Sequence, residues 1–183
     1  MDIIKLLLDN GMSVNLTNTS NCKPLHVSAQ SGNPEATKTL VERGGAINST
    51  NKYGVTPLMV VAEHVKLEIF CYLTGIGADN NIRSTNKNKT AFHLAAASRI
   101  VDIIRLLLDK GMSFNLNESD EITPLRVCAE FGHLEATKAL VERGAAINYT
   151  DRDGNTSLIV AAFKGKLEIF RYLLIYSMEQ SPP

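Results

Sequence analysis

The stretch TPLRVCAEFGHLEATKALVERGAAIN, residues 123–148, decides the fold. Thr123 can cap a helix and Pro124 suits its first turn, so a short helix opens there. Gly132 breaks it. A second helix is predicted over Glu135–Glu142, and Gly144 stands where a left-handed cap closes a helix. Asn148 ends the block. One helix pair of this size cannot bury both of its sides, so it needs neighbours.

The neighbours are in the chain. A Gly-x-x-x-Asn pattern occurs at Gly11–Asn15, Gly44–Asn48, Gly77–Asn81, Gly111–Asn115 and Gly144–Asn148, with glycine spacings of 33, 33, 34 and 33. A second pattern keeps step: KPLHVSA from Lys23, TPLMVVA from Thr56, TAFHLAA from Thr90, TPLRVCA from Thr123 and TSLIVAA from Thr156. Fixed-period self-similarity of this length means stacked units. The first helices carry small residues, Ala62, Ala95, Ala96, Ala129, Ala161 and Ala162, which let helices approach closely. The second helices show apolar residues at helical spacing, as in Ile103, Ile104, Leu106, Leu107 and Leu108.

The period, the T-P-L-H block and the G-x-x-x-N block together resemble the ankyrin repeat. The resemblance implies an all-α solenoid of stacked antiparallel helix pairs with projecting β-hairpins or loops. The expected array covers residues 1–180, with a half repeat at 1–15, repeats at 16–48, 49–81, 82–115, 116–148 and 149–180, and a tail at 181–183. It further implies a concave face lined by hairpin tips and first helices, used to bind a folded protein or peptide. The variable positions of that face fall here on Lys52, Tyr53, Glu63, His64, Lys87, Ser119, Asp120, Glu130, Phe131, Arg152, Asp153, Phe163 and Lys164. Tyr53, Phe131 and Phe163 are the expected anchors, since interface energy concentrates in a few large side chains. The alternative for Phe131 and Phe163 is that they fold back over the adjacent helix.

Departures from the pattern predict local differences. Ala91 and Ser157 replace proline at the helix start, and Val65 and Arg99 stand where a mid-repeat glycine is expected. Asn21, Asn88 and Glu121 replace the hairpin glycine kept at Gly54 and Gly154. Asparagine tolerates positive φ and glutamate does so poorly. The third period has one additional residue between Asn81 and Thr90, so its hairpin is expected to be longer or bulged.

A longer period lies over the short one. Residue n matches residue n+100 at 42 of the first 73 positions, which points to duplication of a three-unit block. The copies agree in their second helices and glycine caps. They differ at 17–23 against 117–123, at Gln30-Ser31 against Glu130-Phe131, and at Glu63-His64 against Phe163-Lys164. Diversified recognition and free drift of exposed loops both account for this.

Chemistry is sparse. His26 and His93 fall in the T-P-L-H block, where the resemblance implies hydrogen bonds between repeats, and His133 starts a helix. His64 alone is a contact candidate. No spacing suits a metal, a nucleophile–histidine pair or a phosphate loop, so no catalytic residue, cofactor or metal is expected. The chain is read as a non-enzyme. Lys plus Arg is 19 and Asp plus Glu is 19 in 183 residues, which offers no footprint for nucleic acid or an anionic membrane. Three separated cysteines form neither a disulfide framework nor a zinc site. The first ten residues do not read as a signal peptide and no run is long enough to span a bilayer, so a cytoplasmic or nuclear location is the expectation. Residues 1–11 supply a second helix without its first, and Leu173–Tyr176 ends the last unit without a G-x-x-x-N block. Apolar surface is expected at both ends. The alternative role is therefore a structural segment of a longer array that self-associates or continues end to end.

Overall fold

A computed structural model of the chain describes residues 3–86, 88–98, 101–111, 114–115 and 122–180. Eleven helices and no strand lie among the described residues. The described projecting segments are turns rather than paired strands. Arg99 and Glu121 lie outside the described residues.

The chain forms two compact units, residues 1–94 and 95–183. The first holds α1 (Ile3–Asp9), α2 (Pro24–Ser31), α3 (Pro34–Glu42), α4 (Pro57–Glu63), α5 (Leu67–Gly75) and the start of α6 (Ala91–Ala97). There α2 packs on α4 and α3 lies between α1 and α5, so first and second helices make two layers. The second unit holds the end of α6, then α7 (Val101–Asp109), α8 (Pro124–Phe131), α9 (Leu134–Glu142), α10 (Ser157–Phe163) and α11 (Leu167–Glu179). It repeats the plan, with α8 on α10 and α9 between α7 and α11.

The helix starts follow the sequence. The hydroxyl oxygens of Thr56, Thr123 and Thr156 accept the N–H of Met59, Arg126 and Ile159 at 3.2, 3.2 and 3.3 Å. Where histidine fills the third position, its ring takes over part of that role: Nδ1 of His26 and His93 accepts the N–H of Lys23 and Thr90. Helices α6 and α10 open at Ala91 and Ser157 without the proline. Second helices close on glycine with positive φ, as at Gly44 (+84°) and Gly144 (+85°). There the N–H of Gly45 and Ala145 returns to the carbonyls of Leu40 and Leu140 at 2.8 and 3.0 Å, the double closure of a Schellman cap. Helix α11 runs to thirteen residues because no glycine stops it, and α9 starts one residue before the predicted Glu135.

The core is the small-and-apolar stripe the periodicity marks. Leu25, Ala29, Leu58, Ala62, Phe70 and Leu73 are buried in the first unit, and Ile104, Leu107, Cys128, Ala129, Leu140 and Ala161 in the second. Ala162 is the exception: it is exposed on the last first helix.

Candidate functional site

Among the described residues, four turns before first helices are each organised by one side chain that the sequence reading passed over. Oδ1 of Asn18 accepts the N–H groups of Ser20 and Cys22, at 2.9 and 3.0 Å. Asn51 does the same for Tyr53 and Val55, and Asp151 for Asp153 and Asn155. These are Asx turns, and they hold the tips carrying Lys52–Tyr53 and Arg152–Asp153 in fixed shapes. In the third period Ser84 takes this place. Its N–H reaches Lys89, five residues on, where Asn51 reaches Val55, four on. The additional residue is absorbed there, as the longer turn predicts. Asn21 and Asn88 take positive φ at the glycine position, +57° and +53°. Gly54 also needs to be glycine for space, since a Cβ there would sit 2.7 Å from the backbone nitrogen of Thr85.

Neighbouring turns of the first unit are tied tip to tip. The N–H of Lys52 donates to the carbonyl of Ser20 at 3.0 Å, and the N–H of Thr85 to that of Tyr53 at 2.9 Å. Tyr53 is half exposed with the Lys52 ammonium 4.9 Å from its ring centre. Glu63 and His64 are exposed at the end of α4, where Nδ1 of His64 lies 3.0 Å from the carbonyl oxygen of Val60. Lys87 lies outside the described residues.

In the second unit the candidates gather around one arginine. Arg126 stands on α8 where two other repeats have histidine. Its Nη2 lies 3.1 Å from Oδ2 of Asp151, and its Nη1 3.6 Å from Oε2 of Glu130. Glu130 in turn pairs with Nζ of Lys164 on the next repeat, Oε1 to Nζ 3.2 Å. Burial pushes the Asp151 carboxyl up, but bonds from Asn155 and from the Arg126 guanidinium outweigh that and hold it below its ordinary range. A cleft of about 290 Å3 opens above this network, bordered by Asp153, Ile159 and Phe163. Phe163 is 85% exposed and Phe131 53%. Phe131 stacks on His133 with ring centres 6.0 Å apart. Arg152 and Asp153 are exposed at the turn tip. Ser119 and Asp120 lie outside the described residues.

The sequence reading missed Arg126, Ile159 and Val27. Ile159 is an exposed apolar residue on α10, the helix that ends on Phe163, and Val27 is an exposed apolar residue on α2. A signal for Arg126 existed: a cation in a slot held elsewhere by histidine or apolar residues needs an acid nearby.

His26 and His133 tie neighbouring repeats together. Nε2 of His26 reaches the carbonyl oxygen of Val55 in the next repeat at 3.0 Å, while Nδ1 accepts from Lys23. Burial lowers the pKa of His26, so the ring is neutral with its proton on Nε2. Nε2 of His133 reaches the carbonyl of Ala97 at 3.1 Å. The Cys128 thiol is buried and its pKa is pushed up to about 12. Among the described residues, no cluster of three histidine, cysteine or acidic side chains suits a metal ion, and no helix is long and apolar enough to cross a membrane.

The family model of three-copy ankyrin repeats matches residues 1–84, 46–118, 66–151 and 92–181, which together cover nearly the whole chain. The chain belongs to the ankyrin-repeat family. Among curated relatives, an ankyrin repeat protein of Fowlpox virus (strain NVSL) is 33% identical over 66 residues, 36% of this chain. Protein phosphatase 1 regulatory subunit 12A of Mus musculus and of Rattus norvegicus is 32% identical over 62 residues, 34% of this chain. The matched stretches span 15% of the viral protein and 6% of the phosphatase subunits. Ankyrin repeats are in general protein-interaction modules, and that general role extends to this chain.

Proposed function

We propose that the chain binds a protein partner through its turn tips and the ends of its first helices, with the Phe131–Phe163 face as the anchor. The supporting observation is the pairing of two exposed aromatic rings and Ile159 with the Arg126–Glu130–Lys164 network. Large exposed apolar side chains on a soluble protein mark contact sites, and charges held in place beside them give specificity. Glu63, His64, Lys52 and Tyr53 form the corresponding surface of the first unit, and Lys87, Ser119, Asp120, Arg152 and Asp153 complete the proposed contacts. Catalysis, nucleic acid and cofactors have no part in this reading. The cell interior is the proposed location, and one array over residues 1–180 the proposed organisation. The likeness to a phosphatase regulatory subunit supports a binding role for the aligned stretch and does not carry the phosphatase with it.

The test is affinity capture from the native cell, comparing the unaltered chain with a Tyr53→Ala, Phe131→Ala, Phe163→Ala variant whose circular dichroism is unchanged. The variant is expected to lose the partner. Equal capture by both would remove this face from consideration.

A second reading is self-association. Leu174, Ile175 and Met178 are exposed apolar residues on α11. Light scattering over a concentration series is expected to show growth that Ile175→Asp with Met178→Asp abolishes, and a constant monomer mass would overturn it.

A further inference from the structure

The cleft above the Arg126 network, about 290 Å3 within the second unit, is lined by charges that do not cancel. Arg126 is paired with Asp151 at 3.1 Å and Lys164 with Glu130 at 3.2 Å, so two cations answer two acids. A third acid borders the same cleft. The Asp153 carboxylate is exposed at the turn tip and forms no ion pair among the described residues. Arg152 beside it does not border the cleft. One negative charge is therefore left over. The walls around it are apolar: Ile159 is 47% exposed and Phe163 85%. The Lys164 ammonium lies 6.0 Å from the Phe163 ring centre, the outer limit of a cation–π contact, and most of the ring is open.

The first unit holds the same two components in exchanged places. One hundred positions before Asp153 and Phe163 stand Tyr53 and Glu63, so the ring is at the tip and the acid at the helix end. There the chain supplies the cation itself, with the Lys52 ammonium 4.9 Å from the Tyr53 ring centre.

We propose that the partner supplies the missing cation of the second unit as one arginine side chain of an exposed segment. This deepens the reading of the Phe131–Phe163 face as the contact surface and rests on it. Arginine answers each part of the cleft. Its aliphatic stem lies along Ile159, its planar guanidinium stacks on the Phe163 ring, and its N–H groups reach the Asp153 carboxylate. An acidic side chain would meet three carboxylates whose two cations are already held. A purely apolar one would cover Asp153 and leave its charge unpaired, which is costly. Lysine brings the charge without the plane and makes the poorer contact.

The probe is a short blocked peptide with one arginine between glycines, titrated into the isotope-labelled full chain and followed by amide chemical shifts. Saturable shifts at Asp153, Ile159 and Phe163 are expected, with a dissociation constant on the order of 1 mM, the weak end of specific association. The same peptide with citrulline, which keeps the shape and loses the charge, is expected to give none, and so is the glutamate peptide. Asp153→Asn is expected to weaken binding about threefold to fivefold, the loss of one exposed ion pair. Phe163→Ala is expected to do the same through the ring. Glu168→Gln, which removes an acid elsewhere on α11, should change nothing. Unperturbed shifts away from each substitution show that the variants are folded. No saturable shift up to about 20 mM arginine peptide would overturn the proposal. So would equal binding of the citrulline peptide, or binding that ignores Asp153→Asn. Partner capture separates this proposal from the reading beneath it. Capture lost with the triple alanine variant and also weakened by Asp153→Asn supports the arginine. Capture lost with the triple variant and untouched by Asp153→Asn keeps the face and overturns the arginine. Equal capture by the triple variant overturns the face and the arginine with it.

Discussion

Arg126 holds Asp151 across a repeat boundary, with Nε and Nη2 at 3.2 and 3.1 Å from the same carboxylate oxygen, Oδ2. The other oxygen is committed to the turn, accepting from Asp153 and Asn155. The pair therefore links the helix that carries Glu130 to the turn that carries Arg152 and Asp153.

Removing the guanidinium leaves a mostly buried acceptor without its charged partner. Arg126→Met is expected to lower stability by about 1–3 kcal/mol at neutral pH, read from urea denaturation. The Asp151 carboxyl titrates below its ordinary 3.8 in the folded chain, so its stabilisation is present above that pH and is lost as pH falls through the folded value. The variant should show a shallower acid limb. An unchanged midpoint and an unchanged limb would show that the pair contributes nothing.

Three asparagines of the G-x-x-x-N blocks, Asn15, Asn48 and Asn115, bond to the next repeat. Nδ2 of Asn15 donates to the carbonyl of Gly44 at 3.1 Å, and its Oδ1 accepts from Ala46 at 2.9 Å. Asn115 repeats this with Gly144 and Ala146 at 2.9 and 3.0 Å. Asn15→Ala and Asn115→Ala are each expected to destabilise by roughly 1 kcal/mol. Hydrogen exchange should quicken at Ala46 in one variant and at Ala146 in the other. Uniform quickening along the chain would argue against a local tie.

Val65 sits at φ +66°, in the left-handed region, while its counterpart Gly165 sits at +64°. A branched side chain there carries strain of roughly 1–2 kcal/mol, part of which a glycine returns by stiffening the unfolded chain less. Val65→Gly is expected to raise the urea midpoint by up to about 1 kcal/mol in stability. Gly165→Val should lower it by about 1–2 kcal/mol through strain alone, since no atom lies within 4 Å of a Cβ placed there. Opposite signs for the two exchanges are the diagnostic result.

His26 is kept neutral in the fold, its pKa lowered from 6.5 mainly by burial. The unfolded chain takes up a proton near 6.5 and the folded chain does so only at lower pH. Stability is thus level above 6.5 and falls as pH drops below it. His26→Gln is expected to flatten that fall while losing part of the Val55 bond. A slope that survives the substitution would assign the effect elsewhere.

The helices, their glycine caps and the longer third turn were legible because each depends on residues close in sequence. Asn21 and Asn88 in positive φ were legible for the same reason. The exposure of Phe131 and Phe163 was one of two open readings, settled by where α8 and α10 end. The Arg126 network and the reach of Asn15 to Gly44 were not legible. Arg126 meets Asp151 across 25 positions and Asn15 meets Gly44 across 29, and a periodic pattern says which face a residue is on without saying which atom it meets. The exposure of Val27 and Ala162 was hidden too, because identical sequence in the paired blocks meets different neighbours.

The closed thiol of Cys128 gives the second unit an internal clock. A sulfur that is fully buried and bonded to the carbonyl of Ala96 reacts with an alkylating reagent only when α8 parts from the end of α6. Cys71 is exposed and reacts at once, which calibrates the reagent in the same molecule. The lag between the two modifications, followed by mass spectrometry, measures how often that seam opens under native conditions.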